Sequence, residues 1–285
     1  MIDANSDRDA PVSRSPEDRS YGIQSVSRAL TILELFDERR PYLSTTEIAE
    51  LTSLNRATAY RFCQTLLSLG YLEEVAPRRF RPGLKAVSLA RAALSSRELP
   101  DLALPYLREL RDAAEETVNM ALLDGTDVVY VSRLLSHHLL ALRLFVGSRL
   151  PVSASSLGRA IIAFLPDDEV EALLSDMTLT AFTTHTIVDR RRLLTELHRI
   201  RSRGYAINDQ ELVLGIRGIA APIFGVGGRP IAAVNLSIAH PLSLREIEAK
   251  FAGPLVETAR AITELATQLA VDVAQPGPTQ RTRTP

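Results

Sequence analysis

Several absences narrow the chain before any motif is considered. There is a single cysteine, Cys63, in 285 residues, so no intramolecular disulfide forms and a multi-cysteine metal site is excluded; a reducing compartment fits. No run reaches the roughly 18 consecutive apolar residues of a membrane-spanning helix. The first twenty residues are polar and charged with no apolar h-region, so neither a signal peptide nor a membrane partner is expected and the cytoplasm is the expected location. Net charge is also nearly absent: 33 Lys and Arg against 34 Asp and Glu leave −1. The whole molecule is therefore no polycation, and any nucleic-acid surface must be local. Lysine is confined to Lys85 and Lys250, a bias that GC-rich coding alone produces. No internal repeat is present.

Catalytic motifs are missing as well. No Ser-His-Asp or paired-carboxylate pattern stands out, and Gly225-Val226-Gly227-Gly228 lacks the Lys-Ser/Thr of a phosphate loop and reads as a hairpin turn. The adjacent His137 and His138 project to different sides without a third ligand at suitable spacing, and read as a solvated loop. Cys63 reads as a small packing residue rather than a redox sensor. The expectation is a non-enzyme with no metal and no cofactor.

What is present is enough for about two domains, with 46% hydrophobic and 24% charged residues, an ordinary balance for a globular chain. Residues 1–20 and 275–285, rich in polar residues and without periodicity, read as a disordered arm and tail. Val26, Leu30, Leu33 and Phe36 recur at spacings of three and four and predict a first helix over 24–37. A short helix follows Ser44 or Thr45, where Ser44 and Glu47 have capping-box spacing, with Ile48, Ala49 and Leu51 as its apolar side. After a turn at Thr52–Leu54, Asn55 is a good N-cap for a third helix running to Leu69. Its inner face is Ala59, Phe62 or Cys63, Leu66 and Leu69, and Gly70 ends it. Tyr71–Val75 and Phe80–Pro82 are strands around the turn Pro77-Arg78-Arg79. Leu84–Arg97 returns to helical spacing, and Pro100 and Pro105 mark the entry to a second domain.

Helix, short helix, turn, longer helix and hairpin is the layout of a winged helix-turn-helix. Arg56, Thr58, Tyr60, Arg61 and Gln64 form the outward face of the third helix, where Arg pairs with guanine edges and Gln with adenine. Arg78, Arg79 and Arg81 sit on the hairpin, where phosphate contact or minor-groove insertion is expected. Between Asn55 and Arg91 seven cations face two anions, on a chain of net −1; that asymmetry is the electrostatic footprint of a DNA face. A helical bundle with solvated arginines leaves this concentration of charge unexplained.

From residue 101 helices and strands alternate. A helix over 101–116 precedes strands Asn119–Leu123 and Asp127–Leu134, joined at Asp124-Gly125. A strand Leu140–Val146 follows, then helices Ser155–Leu165, Asp167–Asp176 and Asp189–Arg203. Strands Ile219–Ile223 and Ile231–Ser237 and a closing helix Leu244–Val271 complete an α+β pattern suited to a sensor domain.

The stretches QSVSRALTILELF and STTEIAELTSLNRATAYRFCQTLLSLGYLE, with GSRLPVSASSLGRAIIA (147–163), RSRGYAINDQELVLGIRGIAAPIF (201–224) and RPIAAVNLS (229–237), strongly resemble the IclR family of bacterial regulators over roughly residues 22–270. The resemblance implies an α+β architecture: a winged helix-turn-helix (21–83), a linker helix (84–99) and a GAF-like effector-binding domain (100–274). It further implies double-stranded promoter DNA as partner, a homodimer or tetramer formed largely through the N-terminal region, and a small organic or aromatic acid as effector controlling a catabolic operon. The segment AAVNLS is similar to the branch controlling the β-ketoadipate pathway, which handles protocatechuate and 4-hydroxybenzoate.

Carried over by position, the implied effector contacts are Leu139, Leu142, Ser156, Leu157, Asn208, Gly218, Asn235 and Ser237. Ser155, Ser156 and the N–H groups opening the 155–165 helix supply donors for a carboxylate at the positive end of that helix. Asn235 and Ser237, two apart in a strand, share one face. The chain departs from some relatives at Asn208, where they carry an acid, at Gly218, where they carry a cysteine, and at Asn235, where they carry serine. A smaller residue at 218 would admit a larger ligand, and loss of an acid at 208 would ease anion binding. Arg149 and Arg159 are either bidentate carboxylate partners or surface arginines. Two rivals remain at this level: a small-molecule enzyme with an accessory DNA-binding-like domain, and an architectural DNA-binding protein.

Overall fold

The protein, a computed structural model, is described over residues 23–37, 40–95, 98–136, 144–239 and 241–269. The arm 1–20, the tail 275–285, His137, His138, Leu139 and Leu142 lie outside the described residues. The chain divides between Ala93 and Leu94 into two compact units.

The first unit runs α1 (Gln24–Glu34), β1 (Leu43–Ser44), α2 (Thr45–Leu51), α3 (Arg56–Ser68), β2 (Leu72–Ala76) and β3 (Arg79–Pro82), with α4 (Lys85–Ser95) following. The capping box at Ser44 is complete. Its Oγ accepts the Glu47 N–H at 3.3 Å, and the Glu47 carboxylate accepts the Ser44 N–H at 2.7 Å. Ser53, at φ 54, makes the turn between α2 and α3, and Asn55 Oδ1 accepts the Thr58 N–H at 2.8 Å to start α3. Gly70 at φ 80 ends α3 in the left-handed region where a side chain would be strained. The hairpin β2–β3 is extended by β1 into an antiparallel sheet of order β1-β3-β2.

Ile32, Ile48, Ala59, Cys63, Leu72 and Phe80 form the core of this unit. Cys63, not Phe62, is the fully buried member of the expected pair, and burial pushes its thiol up to about 11. The apolar stripe expected on α1 is rotated: Ala29, Ile32, Leu33 and Phe36 meet the core, while Val26 and Leu30 stay more than half exposed. α1 carries two apolar stripes, and spacing alone does not say which one faces in. Leu51 and Leu69, at the ends of α2 and α3, are likewise exposed.

The second unit runs α5 (Leu99–Ala114), β4 (Thr117–Asp124), β5 (Asp127–Leu134), β6 (Arg149–Pro151), a 3-10 turn (Val152–Ala154), α6 (Ser156–Ile162), α7 (Asp167–Asp176), α8 (Arg190–Arg203), β7 (Ala206–Asp209), β8 (Arg217–Phe224), β9 (Pro230–Ile238) and α9 (Leu244–Gln268). Pro100 and Pro105, expected to mark a boundary, both lie within α5. Pro100 occupies the first turn, where its missing N–H costs nothing. The six strands form one antiparallel sheet of order β6-β5-β4-β9-β8-β7. α5 and α9 cover one face through Val118, Met120, Leu122, Val234 and Leu236. α6 and α8 cover the other, where Ala121, Ala220 and Ala233 meet Leu157, Ile161 and Leu197. With both faces covered, β4 and β9 read as near-continuous apolar runs, and polar residues within them stand out.

The edge strands β6 and β7, of three and four residues, are too short to show a period of two and were not anticipated. Of the strand expected over 140–146, Leu144–Val146 is loop and the rest lies outside the described residues. α6 stops at Ile162 rather than Leu165. Among the described residues no helix is long and apolar enough to cross a membrane.

Candidate functional site

On the first unit Arg56, Tyr60 and Arg61 stand exposed on α3, with Thr58 and Gln64 half-buried beside them. The hairpin turn holds Arg78 at φ 60, pinned by its N–H to Glu74 at 2.6 Å and by its carbonyl to the Thr45 N–H at 3.0 Å. Its guanidinium lies 5.7 Å from the centroid of the Tyr60 ring, so hairpin tip and recognition helix touch. Arg79 lies over Tyr42. Arg56, Arg61, Arg78 and Arg79 make no ion pair with another described residue, although the Arg79 charge adds to what holds the Glu47 carboxyl below its ordinary value, so all four guanidinium groups can turn to phosphate or base. Arg81 differs, being bridged to Glu73 across the hairpin at 2.8 Å; that hydrogen bond holds the Glu73 carboxyl below its ordinary value. Lys85 also belongs elsewhere. It donates to the Leu69 carbonyl at 3.0 Å, at the negative end of α3.

In the second unit two rows of the sheet carry polar side chains on the α6 face. One row is Arg133, Asn119 and Asn235; the other is Thr117, Ser237, Gly218 and Asn208. Asn119 Nδ2 donates to Asn235 Oδ1 at 2.8 Å and to Ser237 Oγ at 3.1 Å. Asn235 Nδ2 reaches Ser156 Oγ at 3.4 Å. Arg133 Nη1 donates to Asn119 Oδ1 at 2.9 Å. Thr117, Asn119, Ser156, Asn235 and Ser237 are all buried, where unpaired polar groups would be costly. The structure therefore brings Ser156, Asn235, Ser237 and Gly218 together. Leu157 is packed in the apolar layer behind them.

Ser155, Asn208 and Arg159 serve the frame around this cluster. Ser155 caps α6 at the Gly158 N–H, and with seven residues α6 is a short dipole. Asn208 Nδ2 donates to the Ala154 carbonyl at 2.6 Å, and its Oδ1 accepts the Glu211 N–H at 3.2 Å. Arg159 is neither a surface arginine nor open to a ligand. It is buried, forks onto both carboxylate oxygens of Glu211 and donates to the Ser153 carbonyl. Arg149 pairs with Asp124 and Asp127 at the opposite end of β4 and β5. The expectation for Gly218 is corrected too. A Cβ there would sit 2.7 Å from Ser156 Oγ, so the glycine admits Ser156 against the sheet and opens no extra room for a ligand.

Asn119, Arg133 and Glu211 were missed by sequence reasoning. Asn119 carried the signal that singled out Asn235, a lone amide inside an apolar strand. Arg133 and Glu211 carried none, because their partners lie on other strands or on α6. Two open grooves lie elsewhere in this unit. One, of about 570 Å³, runs along α8 at Arg191, Arg192 and Arg199. The other, of about 590 Å³, lies between Phe164 and Arg229. Neither is lined by a buried polar side chain.

The chain matches the family described as "IclR helix-turn-helix domain" over residues 25–76 and that described as "Bacterial transcriptional regulator IclR C-terminal" over 91–264. It is 34% identical to the Pca regulon regulatory protein of Pseudomonas putida over 240 residues, covering 84% of this chain and 82% of that protein. Among solved structures, a transcriptional regulator from Rhodococcus sp. RHA1 is 36% identical with a TM-score of 0.75, covering 87% of this chain and all of that one. An IclR homolog from Microbacterium hydrocarbonoxydans, complexed with 4-hydroxybenzoate, is 26% identical with a TM-score of 0.72, covering 84% of this chain and 98% of that one.

Proposed function

The chain belongs to the IclR family and is a DNA-binding transcriptional regulator with an effector-binding C-terminal domain, not an enzyme; from that premise we propose that it senses a small aromatic acid and controls the operon that degrades it. The observation that carries this reading is the buried amide and hydroxyl cluster of Asn119, Asn235, Ser237 and Ser156. An apolar layer needs no such cluster for stability, whereas a polar, aromatic ligand needs few, fixed hydrogen-bonding groups in apolar walls. The aromatic class is supported by the Pca regulon name of one relative and the 4-hydroxybenzoate bound to another.

Arg56, Thr58, Tyr60, Arg61, Gln64, Arg78, Arg79 and Arg81 are the proposed DNA contacts, with Arg81 the weakest because Glu73 competes for it. The protein works as a homodimer or tetramer in the cytoplasm, where the promoter is. The exposed apolar side chains Val26 and Leu30 of α1 and Val87 and Leu89 of α4 support subunit contact through the N-terminal region. Effector binding favours one dimer geometry and so changes the spacing of two recognition helices.

A mobility-shift titration on the protein's own upstream region, with and without protocatechuate, 4-hydroxybenzoate and β-ketoadipate, tests the proposal. One acid should alter a specific shift, and Asn235→Leu should remove that response while sparing DNA binding. A specific shift that no organic acid alters, in this assay or in transcription, overturns the acid reading.

A further inference from the structure

β4 and β5 pair in register from Val118–Leu134 to Met120–Ser132, then slip, so that Ala121 faces Tyr130. The extra residue is Val131, which packs in the α5–α9 layer. In an unbroken ladder Ala121 would face Val131, an apolar side chain. The bulge sets a phenol there instead, on the α6 face, and bulges re-aim side chains in this way beside functional sites. Ala121 lies two residues along β4 from Asn119, about 7 Å, and faces Ala233 on β9 as Asn119 faces Asn235. Tyr130 therefore stands one row of the sheet away from the Asn119–Asn235 amide pair, with alanines beside it in that row.

As a packing residue Tyr130 is ill chosen. It is 3% exposed among apolar groups, and its hydroxyl hydrogen-bonds to no described residue. Phenylalanine would fill the same place without taking a polar oxygen out of water, and a buried tyrosine ordinarily finds a partner for its hydroxyl. No fully enclosed side-chain nitrogen or oxygen of the described residues lacks a partner, so the small exposure that Tyr130 keeps includes its oxygen, and the hydroxyl is left at an opening. Burial pushes the phenol up to about 12, so it stays protonated and can donate as well as accept.

We infer that the Tyr130 hydroxyl binds a ring hydroxyl of the effector and so selects phenolic acids over acids with a bare ring. The inference rests on the aromatic-acid reading above and says which of those acids the site takes. The amide and hydroxyl cluster and the phenol are two polar stations on one face of the sheet. Ser156 Oγ and Ser237 Oγ each accept from an amide, which leaves each a hydroxyl proton to donate; that station suits a carboxylate, which only accepts. Tyr130 offers a single group that both donates and accepts, and a ring hydroxyl does the same. A ring with polar groups at two positions bridges the stations. A bare ring would set carbon against the Tyr130 oxygen, cut it off from water and leave it without a partner, which is the costly outcome for a buried hydroxyl.

Calorimetry on the full-length protein decides the matter, using 3-hydroxybenzoate, 4-hydroxybenzoate, benzoate and 4-fluorobenzoate. The natural protein should bind at least one hydroxybenzoate roughly three- to tenfold more tightly than benzoate or 4-fluorobenzoate, the range of a neutral hydrogen bond. Tyr130→Phe removes the oxygen and keeps the ring. It should cut that preference to less than about twofold by weakening the hydroxybenzoate, with benzoate bound as well as before or better. A phenylalanine variant that keeps the preference overturns the inference alone. Equal loss of every acid does so too, since the phenol would then support the site rather than read the ring. The natural protein's own ranking decides the question if the variant does not fold: benzoate and 4-fluorobenzoate bound as tightly as both hydroxybenzoates overturn the inference. Failure of the natural protein to bind any aromatic acid overturns the aromatic-acid reading and the inference together.

Discussion

The two units handle polar chemistry in opposite ways. The first holds Arg56, Arg61, Arg78 and Arg79 out to solvent without an ion-pair partner among the described residues, Arg78 and Arg79 lying over Tyr60 and Tyr42, on one contiguous stretch of chain. The second folds Asn119, Asn235, Ser237 and the Arg159–Glu211 pair into its interior, the amide pair gathered across 116 residues and the ion pair across 52. Exposed, uncompensated cations cost little to maintain and act at once on a polyanion. Buried polar groups must satisfy one another, so any ligand that enters rearranges the whole network. One unit is built to meet its partner as it stands, and the other to register a change.

The largest test of this contrast is Glu211→Ala. It strands Arg159, which is 1% exposed, and leaves the Ile187 N–H without its acceptor at 3.1 Å. Breaking a buried ion pair costs about 3–5 kcal/mol, so thermal unfolding of the second unit should shift down by roughly 6–20 °C. Replacing both partners with apolar residues, Arg159→Met with Glu211→Leu, should recover much of that. If Glu211→Ala costs less than about 1 kcal/mol, the pair is behaving as a surface contact and the contrast between the units fails there.

Next in size is Arg61→Ala. A base-reading arginine contributes about 1–3 kcal/mol to the cognate site, so competition against random DNA should show a selective loss. Arg79→Ala should instead weaken both DNAs alike and flatten the salt dependence. Equal losses from both variants would reassign Arg61 to phosphate.

The same contrast governs what was legible in the sequence. Ser44, Asn55 and Gly70 act on neighbours within a few residues, and their roles follow from local rules for caps and turns. The second unit was legible where its signals were local, as in the paired strands around Asp124-Gly125 and the helices expected to open near Asp189 and Leu244. It was illegible where contacts are remote. The Asn119–Asn235 amide pair spans 116 residues and Arg159–Glu211 spans 52. The bulge at Val131 leaves no mark on strand periodicity. Gly218 was misread because the group filling its space, Ser156, comes from another element. Val26 and Leu30 of the α1 stripe were misplaced for a different reason, while Leu33 and Phe36 do meet the core: which apolar face of α1 turns inward is decided by the other helices, not by α1.

The smallest effect compares one device in both units. Ser44–Glu47 starts α2 and Ser243–Glu246 starts α9, each as a complete capping box with matching distances, 3.3 Å from the Glu N–H to the serine and 2.7 Å from the serine N–H to the carboxylate. Ser44→Ala and Ser243→Ala should each destabilise their own unit by about 1 kcal/mol. Both glutamates are held below the ordinary 4.5, Glu47 chiefly by the backbone hydrogen bond and Glu246 chiefly by the serine hydroxyl. A depressed carboxyl contributes stability that is present above the unfolded value and lost as pH falls through the folded one. The carboxylate part of each box should therefore fade below about pH 4.5, and each alanine variant should approach the natural protein as acid is added. Denaturant midpoints measured from pH 7 downward check this in both units at once. Parallel behaviour would mean that the units share their local rules and differ only in where remote polar groups are placed. A cap effect confined to one unit would mean that the packing around the helix start, rather than the box itself, sets its worth.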